Sequence, residues 1–317
     1  MLKVEVLRKT IMADIRTEIR KQLKNSEVLK NASYLEENKF YFNRVEEGIY
    51  QHRMLVEHAL MFKKGSGSEL QDSGNTPAKA KAIDSSSMLS YNFFNWISGK
   101  QPLDLFGVKY TRVYFEVRLK TLKSSNAPAN IDVVLVDKEN SNVLFVESKF
   151  LEYLKNEKAD FSSAYENRNN YYDANDKKDN LIRLVNEYKV KSEGYYYGIK
   201  QNICHIIALS NLKDKEAQKY AKEKNPCLKD IFEKDVNYKF INLIFDPCHE
   251  EANKKYHDYL KLLELLWNYK EMDSCKKDFI TEDHIYMSYS DLYQEFKKQK
   301  LPNNLLDYLN KRYIDLK

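Results

Sequence analysis

Between residues 3 and 24 the apolar side chains Ile11, Ile15, Ile19 and Leu23 return every four positions among charged neighbours, the spacing of one buried stripe on an amphipathic helix. The stretch 40–63 predicts a second helix by the same pattern. Residues 63–87, KKGSGSELQDSGNTPAKAKAIDSSS, gather Gly, Ser, Pro and Asp and predict a long loop. MLSYNFFNWISG then predicts a short helix ending near Gly99. In the middle of the chain the period changes. VYFEVRLKTL (113–122), NIDVVLVD (130–137) and NVLFVESKF (142–150) are rich in β-branched and aromatic residues between polar breaks, which predicts three strands in a meander. A polar helix is expected from about Asn167 to Val190. The apolar run ICHIIALSNL (203–212) reads as a strand entered from a helix-like YYYGIKQ, and FINLIFD (240–246) as one more strand. After Pro247 the positions of Tyr259, Leu260, Leu263, Leu266 and Trp267 suit one buried helix face.

With 317 residues and 43% hydrophobic content the chain can bury an ample core. A single domain is the expectation, with 1–63 as a helical N-terminal addition, 85–246 as the core and 247–317 as a helical C-terminal addition. Lys and Arg total 52 against 47 Asp and Glu, a net charge of +5 that permits a nucleic-acid partner without requiring one. The 24 Tyr fit an AT-rich gene as well as they fit stacking on bases. Cys204, Cys227, Cys248 and Cys275 stand too far apart for a Cys-x-x-Cys motif and are too sparse for a disulfide scaffold. Together with a start broken by charge and the lack of a long apolar run, they lead to an expectation of a cytoplasmic protein that does not span a membrane.

The chemistry is concentrated in NIDVVLVDKENSNVLFVESKF. A turn centred between Glu139 and Asn140 sets Val136 opposite Val143, Val134 opposite Phe145 and Asp132 opposite Glu147, so one face is apolar near the turn and acidic at its far end. Lys149 follows on that face, about 7 Å along the strand from Glu147. Facing carboxylates repel unless a cation or a shared proton intervenes. A divalent cation suits such an oxygen-only site, where Mg²⁺ or Mn²⁺ is held by one or two carboxylates together with phosphate oxygens. Lys149 would then orient or deprotonate the attacking water. Because Lys149 fills no core volume, its removal is expected to spare the fold.

Asp132 and Glu147-Ser148-Lys149 resemble the signature of the PD-(D/E)xK nuclease superfamily, an acid on one core strand and (D/E)-x-K on the next. SSSMLSYNFF and FVESKFLEYL are similar to an uncharacterised bacterial restriction-endonuclease-like branch, and the resemblance spans roughly residues 85–212. Pro128 stands four residues before Asp132 rather than next to it. The resemblance implies an α/β restriction-endonuclease-like core with a mixed central sheet flanked by helices. It also implies Mg²⁺- or Mn²⁺-dependent hydrolysis of nucleic acid, DNA foremost. Asp132 and Glu147 would be metal ligands with the Ser148 carbonyl as a third, Lys149 the water activator, and Glu116 and Gln201 supporting members. A homodimer is compatible with this reading, and so is a catalytically silent module that binds nucleic acid or protein.

Glu-x-Lys alone carries no weight here, since Glu37-Lys39, Glu187-Lys189 and Glu295-Lys297 repeat it. Glu152 reads as a position behind the site or in solvent. Carboxylate pairs about 5–10 Å apart also serve glycosidases, but Lys149 beside the pair favours phosphodiester chemistry. Cys248, His249 and His257 lack the paired spacing of a zinc site, and His205 reads as a core histidine.

Overall fold

The three mid-chain runs form the expected meander and place it inside a larger sheet. In a computed structural model, residues 2–65, 69–125, 127–154, 161–190, 197–233, 236–275 and 286–316 are described. Strands β1 (Leu103–Leu105), β2 (Val108–Leu119), β3 (Ala129–Asp137) and β4 (Asn142–Lys149) pair antiparallel in succession. Strands β5 (Asn237–Ile244) and β6 (Tyr286–Ser288) extend the sheet in parallel, so among the described residues it is mixed and six-stranded, in the order β1-β2-β3-β4-β5-β6. The protein is α/β.

The turn sets the central register. Val134 pairs with Phe145 and Val136 with Val143, and both faces of these strands are buried, with Val133, Leu135, Leu144 and Val146 filling the other side. Asp137 ties the turn, its carboxylate accepting from the Ser141 N–H at 2.8 Å and from Asn142 Nδ2 at 2.7 Å. Asn140 there takes a φ of 59°, a region that asparagine tolerates.

Helix α1 (Leu2–Asn25) buries Ile15, Ile19 and Leu23 as the spacing predicts; the Ile11 side chain lies outside the described residues. Helices α2 (Val56–Lys64) and α3 (Ser86–Phe94) precede the sheet, and Ser85 caps α3 by accepting from the Met88 N–H at 3.3 Å. Between β4 and β5 come α4 (Lys178–Val190), α5 (Tyr197–Ser210) and α6 (Lys215–Lys224), with α5 lying on β2 and β3. Helix α7 (Glu250–Trp267) buries all five of its expected positions, and α8 (Tyr289–Lys298) and α9 (Asn303–Leu309) follow. One hydrophobic cluster runs from Ile15 to Leu316. Among the described residues no helix is long and apolar enough to cross a membrane.

Several expectations fail for identifiable reasons. The apolar run at 203–212 is helix α5 through Ser210 followed by a turn, not a strand. Packed between the sheet and its neighbours, α5 has almost no polar face, and without one the period cannot separate a buried helix from a buried strand. Of YYYGIKQ, residues 195 and 196 lie outside the described residues. The helix expected over 40–63 is confined to α2. Upstream, Gln51 and His52 take φ of 58° and 49°, and Asn92 Oδ1 accepts the Tyr50 N–H at 2.8 Å, so the chain folds into short 3₁₀ turns. Helix α4 begins only at Lys178, after 3₁₀ turns at Ser163–Tyr165 and Arg168–Asn170. The strand expected over 113–122 occupies Val108–Leu119 instead. Strands β1 and β6, three residues each, are too short to show a period.

Candidate active site at the end of the central strands

The β3–β4 ladder ends at Val133 and Val146, one step before the acids, whereas β4 continues beside β5 as far as the Lys149–Ile244 pair. Past the last ladder rung the Asp132 side chain takes over as acceptor, its Oδ2 receiving the Ser148 N–H at 2.7 Å. The Ser148 hydroxyl shares a hydrogen bond with the Tyr289 hydroxyl at 2.7 Å, fastening this strand end to α8. Glu147 and Lys149 project together, as alternation requires, and form a buried ion pair. Lys149 Nζ also donates to Gln201 Oε1 at 2.9 Å, which brings α5 into the site. Gln201 thus meets the hairpin residues, although it reaches them from a helix that does not lead into a strand.

Glu116 joins from β2. The pairs Phe115–Val133 and Val117–Ile131 leave Glu116 opposite Asp132, yet these two do not pair, and Glu116 takes a φ of 54° in mid-strand. A non-glycine residue held there is strained by about 1–3 kcal/mol, and such strain persists where surrounding packing over-determines it. A Cβ added to Gly65 would stand 2.8 Å from the Glu116 Cβ, so glycine lets the loop approach this acid.

Burial raises the Glu116 carboxyl, and the negative charges of Glu69 and Glu147 raise it further, to about 8. Asp132 is likewise held well above the ordinary carboxyl range, by burial and by Glu147. Burial opposes charge on Lys149, but Glu147 and Asp132 outweigh it and hold its ammonium above the ordinary lysine range. An ammonium so held donates hydrogen bonds and stabilises negative charge; it has no lone pair with which to deprotonate water. His205 lies 3.4 Å from Glu147 Oε2, but burial keeps its imidazole neutral. This histidine, read from sequence as core, is buried against the site.

All five expected residues, Glu116, Asp132, Glu147, Lys149 and Gln201, line one cavity of about 630 Å³ together with Ser148. The rest of its lining was not legible in the sequence. Arg16 and Arg20 of α1 both grip Asp84, Lys79 pairs with Glu69 at 3.1 Å, and Glu69 also accepts from the Ser87 hydroxyl at 2.8 Å. Tyr153 and Tyr259 complete it, and Gly198 leaves the space into which the Tyr259 hydroxyl fits. No local pattern marks residues so scattered in sequence. Glu152 also borders the cavity, its carboxylate accepting the Phe150 N–H at 2.6 Å.

Among the described residues no three His, Cys, Asp or Glu side chains converge closely enough to hold a metal ion. The reason is visible in the partners just described, since Glu147 is turned onto Lys149 and Asp132 onto a backbone N–H. The donor set nevertheless suits a hard cation. It is built of carboxylate oxygens, and Glu147 Oε2 is buried without a hydrogen-bond partner. Elsewhere, His249 caps α7 by accepting from the Ala252 N–H at 3.4 Å and lies 2.8 Å from Glu18, while Cys248 is free. No family model, curated protein or solved structure matches this chain.

Proposed function

We propose that this protein is a metal-dependent phosphodiesterase acting on nucleic acid, DNA foremost, with a PD-(D/E)xK-type site on a restriction-endonuclease-like core spanning residues 85–246. The observation that carries the reading is the meeting of Asp132, Glu147, Lys149, Glu116 and Gln201, from β3, β4, β2 and α5, in one cavity. The order β2-β3-β4 followed, after α4, by α5 supports it, because one strand meander and one helix then deliver the acids, the lysine and its amide partner to the same strand end.

Asp132 and Glu147, with the Ser148 carbonyl, would hold Mg²⁺ or Mn²⁺. When bound, the ion supplies Lewis acidity toward a phosphoryl oxygen and makes water a better nucleophile at neutral pH. The Ser148 N–H orients the Asp132 carboxylate. Lys149, steadied by Gln201, directs its ammonium at the attacking water or at the charge growing on the phosphate. Burial and the charges of Glu69 and Glu147 favour the protonated Glu116 carboxyl, and a cation held beside it would favour its ionisation. The arginine- and lysine-bearing wall agrees with a nucleic-acid partner, and a cytoplasmic location belongs to the same proposal.

The test is hydrolysis of single-stranded and plasmid DNA with Mg²⁺ or Mn²⁺, beside calorimetric titration of each metal into wild type and an Asp132→Asn, Glu147→Gln double variant. Metal-dependent cleavage and metal affinity should both vanish in the variant. Nucleic-acid binding with neither property would leave a catalytically silent binding module on the same fold.

A further inference from the structure

We infer that the cavity accepts a single-stranded segment of nucleic acid, with Arg16 and Arg20 seated on its phosphates, and not a continuous duplex. The inference builds on the phosphodiesterase reading, which fixes the residues the scissile bond must reach. Those residues are deep: Glu147 is 1% exposed, Lys149 5% and Glu116 7%. Their cavity, about 630 Å³, is the size of a small-molecule pocket, roughly 300–1,000 Å³. It is not a groove in which two paired strands could lie. Enzymes whose chemistry sits in such a pocket act on single strands or extrude a nucleotide from the helix.

The same cavity has what single strands require, the cationic groups of Arg16, Arg20 and Lys79 for the backbone and the half-buried ring of Tyr41 for a base. Arg16 and Arg20 lie one helical turn apart on α1. Arg16 Nε donates to Asp84 Oδ2 at 2.7 Å, and Arg20 Nη2 lies 2.8 Å from Asp84 Oδ1. Burial works against the Asp84 charge, but the two arginines hold its carboxyl below the ordinary range. Two guanidinium groups thus share one carboxylate, which leaves a positive charge in excess and orients both forks. Arg20 Nε is buried with no hydrogen-bond partner. Tyr41 lines the same cavity and is half-buried, whereas Tyr153 and Tyr259 are buried against each other. The acids of β3 and β4 therefore share their cavity with pre-oriented cationic groups, the polarity needed to grip a phosphodiester.

The experiment measures fluorescence anisotropy of a short labelled oligothymidylate and of a blunt duplex of equal length, using the otherwise unaltered protein with Ca²⁺ in place of Mg²⁺ or Mn²⁺ so that nothing is cut. The single strand should bind at least about tenfold tighter, the effect of stacking one base. Pairing Arg16→Gln with Asp84→Asn, so that no buried carboxylate is stranded, should weaken single-strand binding and reduce its salt slope by about 0.7 for each phosphate left without its cation. Arg20→Lys keeps the charge beside Asp84 but removes the fork, and should also weaken binding while leaving the thermal midpoint near wild type. Equal affinity for the duplex, no binding of either form, or arginine variants that bind like the parent would overturn the inference. Wild type that cuts closed duplex circles as fast as single strands would overturn it and leave the phosphodiesterase reading intact. Single-strand binding with this arginine dependence but no metal-dependent cleavage would do the reverse.

Discussion

The N–H of Ser148 donates to the carboxylate of Asp132 at 2.7 Å, just where the β3–β4 ladder stops. One acid therefore has two duties, satisfying a buried backbone donor and, in the proposed reaction, serving as a metal ligand. Substitutions should separate them. Asp132→Asn retains an acceptor and should keep stability near wild type while losing metal affinity and hydrolysis. Asp132→Ala strands the Ser148 N–H and should cost about 1–3 kcal/mol. Thermal unfolding of the two variants side by side checks this, and equal midpoints would refute the backbone role.

Lys149 cannot be removed without cost, contrary to what its sequence position suggests. It and Glu147 are both nearly inaccessible, and breaking a buried pair by deleting one partner costs about 3–5 kcal/mol. Lys149→Ala should therefore unfold at a clearly lower temperature, and the Glu147→Gln, Lys149→Met double variant should recover much of the loss. Hydrolysis by the folded Lys149→Ala protein should still fall by about 10²-fold or more, the scale for a positioned catalytic group. Additive midpoints in a double-mutant cycle would exclude the coupling.

Glu116 makes stability depend on pH. Its carboxyl titrates near 4.5 when unfolded and about 8 when folded, so between those values the folded chain binds the extra proton and stability declines as pH rises. Below the window both states are protonated and the full contribution is present; above it the contribution is gone. In chelator, the thermal midpoint of wild type should drop across this window more steeply than that of Glu116→Gln. Parallel profiles would show that Glu116 is ionised throughout.

Gly198 offers a test with opposed signs. In a helix, alanine is favoured over glycine by about 1 kcal/mol, but a Cβ on Gly198 would run into the Tyr259 hydroxyl and stand 3.1 Å from its Cζ. Gly198→Ala should therefore destabilise the protein and reduce cleavage by shifting Tyr259, and Gly198→Ala with Tyr259→Phe should restore stability. A more stable single variant would mean that the ring moves freely.

What the sequence determined by itself was the local and near-local part of this architecture. The 143–136 and 145–134 pairings follow from the position of one turn, and they bring Asp132 near Glu147 because only a few residues separate the strands. The buried faces of α1 and α7 follow from their spacing in the same way. Tertiary structure alone decided the rest. Whether 203–212 is helix or strand turns on what surrounds it, and a segment buried on every side carries no period to read. The left-handed backbone at Glu116 answers to its neighbours in the folded sheet, not to its own residue type. The ionisation of Glu116, Asp132 and Lys149 depends on burial and on charges remote in sequence, as with Glu69 acting on Glu116 from the loop before α3. Arg16, Arg20 and Asp84 became one cationic wall only when α1 docked beside the start of α3, a long-range meeting that propensity, spacing and composition do not encode.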